Sequence, residues 1–189
     1  MLDNSFDALA ALRSGTRDLH QRLEAQPLFS CLLSAEVSRD DYVKALSALH
    51  SLYAGLETEL MRGLQQHAPA YPYITRLPLL QRDLAYLGSA PVLNPGLQPA
   101  VMDSMATTLG TLYVIEGSML GGKLLKSHLH SRLGDAVAGA LAFYGLDGNI
   151  DSHWAVTQAL LRDNLSTLDA IEQAVAAARQ TFLLFLCVS

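Results

Sequence analysis

Near the start of the chain, Arg13, Arg17, His20 and Glu24 bring two guanidinium groups, an imidazole and a carboxylate together at helical spacing. On a helical wheel, Arg13, Thr16 and Glu24 fall within about 40° of His20, and Arg17 lies about 60° away. A metal-ligating histidine usually gives its second ring N–H to a carboxylate or carbonyl, which fixes the tautomer and the ring orientation. Glu24, one turn after His20, is placed for that role. Arg13 stands about 10 Å along the helix axis from His20 at 1.5 Å per residue. That reach suits the span from a central metal to the acidic edge of a large planar cofactor. The same array also suits a solvated helix face held by i,i+4 pairs.

A second stretch, Thr108 to Leu125, reads as a helix yet contains Gly110, Gly117, Gly121 and Gly122. Each interior glycine costs up to about 1 kcal/mol relative to alanine, so four cost on the order of 3–4 kcal/mol. Gly110, Gly117 and Gly121 lie within about 40° of one another on the wheel. A bare stripe lets something approach the backbone closely, either a neighbouring helix or a flat ligand, and Gly121-Gly122 offers a bend. The spacing is not that of a phosphate loop, and no strand precedes it. Of the other histidines, His50 reads as a packed or partly exposed residue of the second helix. His67, His128, His130 and His153 read as peripheral, with His153 beside Trp154 a surface residue.

The elements that must position these groups are helical. Leu appears 37 times, Val and Ile together 13 times, a balance that favours helix over strand. Punctuation gives about seven helical segments: Ser5 to Ala25, Ser38 to Gln66, Ile74 to Tyr86, Ala100 to Arg132, a short one ending near Tyr144, Asp151 to Arg162, and a last one to Cys187. Ser38 to Asp41 opens the second, and Ser166 to Asp169 resembles a capping box opening the last. Gly88 to Pro99 reads as a loop and Gly145 to Asn149 as a turn. With 189 residues, half of them hydrophobic and 16% charged, the chain reads as one ordered domain rather than a disordered scaffold. The net charge of −5 and scattered Lys and Arg argue against nucleic acid. The longest apolar run, Phe182 to Val188, is too short for a membrane span. The absence of an export signal and the two isolated cysteines, Cys31 and Cys187, fit the reducing cytoplasm.

Taken together, these segments resemble the heme oxygenases, especially the short bacterial, biliverdin-producing type associated with phytochromes. The resemblance covers most of the chain: Leu12 to Glu24, Leu52 to Glu57, Pro78 to Leu84, Leu109 to Gly122 and Thr181 to Phe185. It implies an all-α, single-domain helical bundle over residues 1–189. It also implies oxidative opening of heme, both substrate and cofactor, to biliverdin, carbon monoxide and ferrous iron with O2. Reducing equivalents would come from a ferredoxin or a flavin/NADPH reductase, and a bacterial phytochrome would receive the product. By the same resemblance His20 ligates the iron and Glu24 accepts from its second nitrogen. Arg13, Arg17 and Tyr113 meet the propionates, and Phe182 borders the ring or fills core. Gly117, Ser118, Gly121 and Gly122 form the kinked distal helix.

One departure concerns proton delivery. Animal-type enzymes carry an acidic residue after the first distal glycine, where this chain has Ser118. A hydroxyl can still order water, but the rest of the relay is open. Alternatives are a heme-storage or delivery protein on the same fold, and a helical interaction protein with no tetrapyrrole. The related helical fold of thiamin-salvaging enzymes is disfavoured, since no catalytic cysteine with an acidic site is evident.

Overall fold

The structure is a computed structural model that describes residues 7–91, 97–146 and 150–188. Among these residues it is all helical, as the leucine-rich, β-branch-poor composition requires. The order is α1 (Ala8–Glu24), α2 (Pro27–Ser30), α3 (Arg39–His67), α4 (Leu77–Tyr86), α5 (Met105–Leu133), α6 (Ala142–Gly145), α7 (Ile150–Asn164) and α8 (Leu168–Cys187). Short 3-10 turns at Cys31–Leu33 and Gly134–Ala136 join α2 to α3 and follow α5. None of the described helices is long and apolar enough to cross a membrane.

Helix starts follow local chemistry. The Asp7 carboxylate accepts from the N–H groups of Leu9 and Ala10 and caps α1 at Ala8, while the expected start at Ser5 lies outside the described residues. Ser38, expected to open α3, does so in a reciprocal box with Asp41. The fourth long helix starts at Met105 rather than Ala100, because Ser104 and Thr107 close a capping box there. The last helix is capped by the Thr167 side chain on the Ala170 N–H, so the Ser166 to Asp169 box does not form. The expected start of α4 at Ile74 also moves, to Leu77, because Pro78 is pre-set for a first helical turn.

α8 packs against both α1 and α5, and two glycines let it in closely. A Cβ on Gly15 of α1 would stand 2.6 Å from Val175 Cγ1, and one on Gly110 of α5 would overlap the neighbouring Ala174 carbonyl. For Gly110 the bare stripe therefore serves helix packing. Arg179 of α8 adds a polar clamp to α1, donating to the Gly15 carbonyl at 2.5 Å and to both oxygens of Asp18 at 2.6 and 2.9 Å. α8 thus sets the spacing between α1, with its histidine, and α5, with its glycines. The α3 stripe of Leu46, Leu49, Tyr53, Leu56 and Leu60 is buried in the core.

Candidate active site

α1, α5, α7 and α8 enclose a cavity of about 460 Å³. α1 contributes Arg13, Arg17, His20 and Glu24. α5 contributes Tyr113, Gly117 and Ser118, and α8 contributes Phe182. Eight of the residues singled out in the sequence therefore meet in one cavity. Gly121 and Gly122, one turn further along α5, are not among its walls. Gly122 is buried where a Cβ would meet Tyr144 Cδ1 at 3.2 Å, and Gly121 is exposed with nothing within 4 Å of that position. α5 runs through all four glycines as continuous helix.

His20 Nδ1 lies 3.5 Å from Glu24 Oε2, which leaves Nε2 as the nitrogen available to a ligand. Phe182 sets its ring edge-on to the imidazole, with centroids 5.8 Å apart at 68°. Phe182 and Phe185 are both buried and both line the cavity, so each fills core and forms wall at once. Across the cavity, a Cβ on Gly117 would lie 3.8 Å from the Trp154 ring, so that face of α5 offers backbone rather than side chain. Tyr113 packs on Trp154 with ring centroids 5.9 Å apart. Burial raises the Tyr113 phenol above its ordinary pKa, while nearby Thr16 and Arg13 hold it back. The Ser118 hydroxyl donates to the Ile115 carbonyl at 2.8 Å.

Behind the cavity lies a buried charged network that the sequence reading did not single out. Arg76, fully buried, donates to Glu116 Oε2 at 2.6 Å and to the Ile74 carbonyl, and its guanidinium stacks 4.8 Å from the Tyr73 ring centroid. Glu57 accepts from Tyr73 Oη at 2.9 Å and from the N–H groups of Arg76 and Leu77 at 2.5 and 3.0 Å. It thereby caps α4, whose own N-cap side chain makes no such bond. His153 Nε2 sits 3.3 Å from Glu116 Oε1 and 3.1 Å from Tyr71 Oη, and Tyr71 meets Thr157 at 2.7 Å. His153 is thus a half-buried network member rather than the expected surface residue, because Trp154 turns toward the cavity while His153 faces α5. The available signal was Glu116 itself, a lone carboxylate between apolar neighbours in a helix core.

The remaining histidines stay outside the cavity. His50 is buried and packed, with neither ring nitrogen hydrogen-bonded, and His128 Nε2 lies 2.9 Å from the Ser34 carbonyl. A larger, more open cleft of about 720 Å³ flanks the far half of α5, lined by Arg82, Lys123, Lys126 and His130. It has neither an aromatic wall nor a histidine backed by a carboxylate. The smaller cavity is therefore the one equipped for a planar metal complex. Among the described residues no cluster of three or more His, Cys, Asp or Glu could hold a free metal ion. A single-histidine site calls instead for a metal that brings its own remaining ligands.

The helical bundle thus walls one cavity in which a carboxylate-backed histidine of α1 and a glycine of the long helix α5 both take part. The heme oxygenase family model matches residues 6–189, and the chain belongs to that family. It is 33% identical over 159 residues to a heme oxygenase of Xanthomonas campestris, covering 84% of this chain and 94% of that one. Against rat heme oxygenase 1 it is 29% identical over 143 residues, covering 71% of this chain and 47% of the rat protein. The fold matches the Neisseria meningitidis heme oxygenase, solved with NO and CO bound, at a TM-score of 0.76 and 22% identity, covering 97% and 90% of the two chains. A Leptospira interrogans heme oxygenase gives a TM-score of 0.77 at 20% identity, with 97% and 98% covered. The chain is thus an oxidoreductase of the heme oxygenase type.

Proposed function

We propose that heme binds in the cavity between α1 and α5, with its iron held by His20 Nε2, and is opened there to biliverdin, carbon monoxide and ferrous iron. The observation that carries this reading is the pairing of walls: a carboxylate-backed imidazole on α1 and the side-chain-free Gly117 on α5 border one cavity. The residues present suit heme. Phe182, Phe185 and Trp154 give apolar surface for the ring, and Arg13 and Arg17 place two exposed guanidinium groups on the same cavity for two propionates. Tyr113, held near Arg13, can add a hydroxyl to that set.

When bound, the heme supplies the iron that activates oxygen and the ring that is consumed. The chain's own contribution is position. Glu24 fixes the tautomer of His20 and Phe182 its ring plane. Gly117 leaves room on the opposite side, and Ser118 offers a hydroxyl that can order water there. Gly121 and Gly122, one turn on, are read as the point where α5 bends over the ring. Residues 1–189 are read as one domain working in the cytoplasm, with electrons from a ferredoxin or a flavin/NADPH reductase and a bacterial phytochrome as recipient of biliverdin.

The test adds hemin and a reductant in air and follows the Soret band together with the biliverdin band. Decay of the first with growth of the second is expected, and a persistent Soret band with a competent donor overturns the enzyme reading in favour of heme storage. His20→Ala is expected to change the hemin spectrum and weaken binding, and an unchanged spectrum overturns the ligand assignment.

A further inference from the structure

Ser118 stands where an acid would be useful and has none of its own to give. Its hydroxyl proton is directed to the Ile115 carbonyl, along its own helix. The nearest carboxyl group in sequence is that of Glu116, two positions earlier, whose side chain pairs with Arg76 in the buried network. Three polar atoms in this region are buried without a well-formed hydrogen bond within the protein: Arg76 Nε, Tyr53 Oη and Glu116 Oε1, which has His153 Nε2 at 3.3 Å. Buried polar groups are nearly always satisfied, by protein or by ordered water. Two acceptor sites and a donor within one network are the usual lining of a buried water.

Tyr53 connects that network to the cavity. Its ring is fully buried and meets Phe185, a cavity wall, edge-on at 6.2 Å. Burial raises its phenol above the ordinary pKa, Arg76 and a contact with the Ser118 hydroxyl hold it back, and Glu57 and Glu116 push it further up. At the other end His153, 3.3 Å from Glu116 Oε1, reaches the surface with a side chain 14% exposed.

We propose that Glu116 takes the place of the missing distal acid. It would be fed from solvent through His153 and joined to Ser118 by a buried water and Tyr53. The inference rests on the heme-binding reading of the cavity. His153 takes a proton from solvent at its exposed edge and yields one to Glu116 Oε1. Glu116 passes it to the water, and the water passes one to Tyr53 Oη. Tyr53 in turn releases its own hydroxyl proton toward Ser118. Each group ends as it began, and one proton has moved from solvent to the cavity. Arg76 holds Glu116 and the water in register. It is a positioning residue, as are Tyr71 and Thr157, which orient His153.

The test uses Glu116→Gln and Tyr53→Phe, each close in shape to the residue it replaces. A crystal structure of the hemin-free protein that shows ordered water is expected to place one within hydrogen-bond distance of Glu116, Arg76 and Tyr53. In the same hemin-free protein, the carbon-13 signal of the Tyr53 ring carbon bearing the hydroxyl is expected to shift in Glu116→Gln. With hemin, both variants are expected to keep the wild-type Soret band and an affinity within about twofold. Both should lose about 100-fold in turnover, the low end of what a positioned proton donor supplies, with an altered solvent isotope effect. A hemin-free structure with no such water, or variants with wild-type turnover and isotope effect, overturns the relay while leaving the heme site standing. Failure of the wild-type protein to bind hemin overturns the cavity reading instead. Should Glu116→Gln fold poorly, Tyr53→Phe decides alone, since it removes only a hydroxyl.

Discussion

Two histidine–glutamate pairs of nearly equal length, one lining the cavity and one in the buried network behind it, do different work. His20 and Glu24 are 3.5 Å apart on one helix, with side chains 58% and 67% exposed. His153 and Glu116 are 3.3 Å apart and join α7 to α5, with side chains 14% and 2% exposed. Exposed pairs contribute about 0–1 kcal/mol because water already solvates both partners. A buried carboxylate has no such reserve, and Glu116 also carries the charge that balances Arg76. The first pair can therefore be tuned for ligand chemistry with little consequence for the fold. Truncating the second, unlike an isosteric exchange, leaves a buried charge unpaired beside the helix that carries Gly117.

The largest expected effect follows from breaking the buried pair. Glu116→Ala leaves the Arg76 guanidinium buried without its carboxylate, and removing one partner of such a pair typically costs about 3–5 kcal/mol. Urea unfolding should show a much lower midpoint, whereas Glu24→Ala should move it by less than about 1 kcal/mol in free energy. Equal midpoints for the two variants would remove the contrast on which this comparison stands.

The next effect sets two glycines of α5 against each other. Gly110→Ala drives a methyl group into the Ala174 carbonyl, a backbone neighbour that cannot swing aside. Overpacking of that kind costs roughly 1–3 kcal/mol. Gly121→Ala meets nothing within 4 Å, and gains helix propensity of up to about 1 kcal/mol. Thermal unfolding should therefore shift in opposite directions. A Gly121→Ala variant less stable than the parent would mean that α5 needs flexibility there even without a ligand.

Much of this was legible in the sequence, for identifiable reasons. Helix class followed from leucine outnumbering β-branched residues, and the α1 face of Arg13, Arg17, His20 and Glu24 followed from period alone, since all four stand on one helix. What joins different helices was harder to see. Arg76 pairs with Glu116 across 40 residues and Tyr71 with His153 across 82, and no local spacing encodes such partners. The division of labour among the glycines was hidden for the same reason. Gly110 and Gly117 share a wheel position, but one meets α8 and the other a cavity. The start of α8 was misplaced because Ser166 and Thr167 stand side by side and compete for the same capping role, whereas α5 was begun too early, at Ala100, ahead of the Ser104 cap.

The exposed pair sharpens next. Glu24→Ala should leave the fold intact while the His20 ring loses its orienting partner. Removing the carboxylate behind a ligating histidine typically weakens metal affinity by about 10–100-fold. Hemin titration should show that loss, with Glu24→Gln recovering part of it because an amide oxygen still accepts. An unchanged affinity would mean that Phe182, edge-on to the same ring, suffices to hold it.

The smallest effect concerns a third histidine, which has no carboxylate at all. His50 is buried, neither of its ring nitrogens is hydrogen-bonded, and burial pushes its pKa below the ordinary 6.5. A base whose folded pKa is depressed is protonated first in the unfolded chain, so acid favours unfolding. Its neutral form is accommodated in full above the ordinary histidine range, and stability is lost as pH falls through that range toward the folded value. His50→Leu removes the titration while keeping apolar volume in the core, so the fall in stability between about pH 7 and pH 5 should be shallower than in the parent. Denaturant midpoints measured across that interval give the slope directly. An identical slope in the variant would assign the acid sensitivity elsewhere, and would mean that a buried imidazole here accepts a proton as readily as one in water.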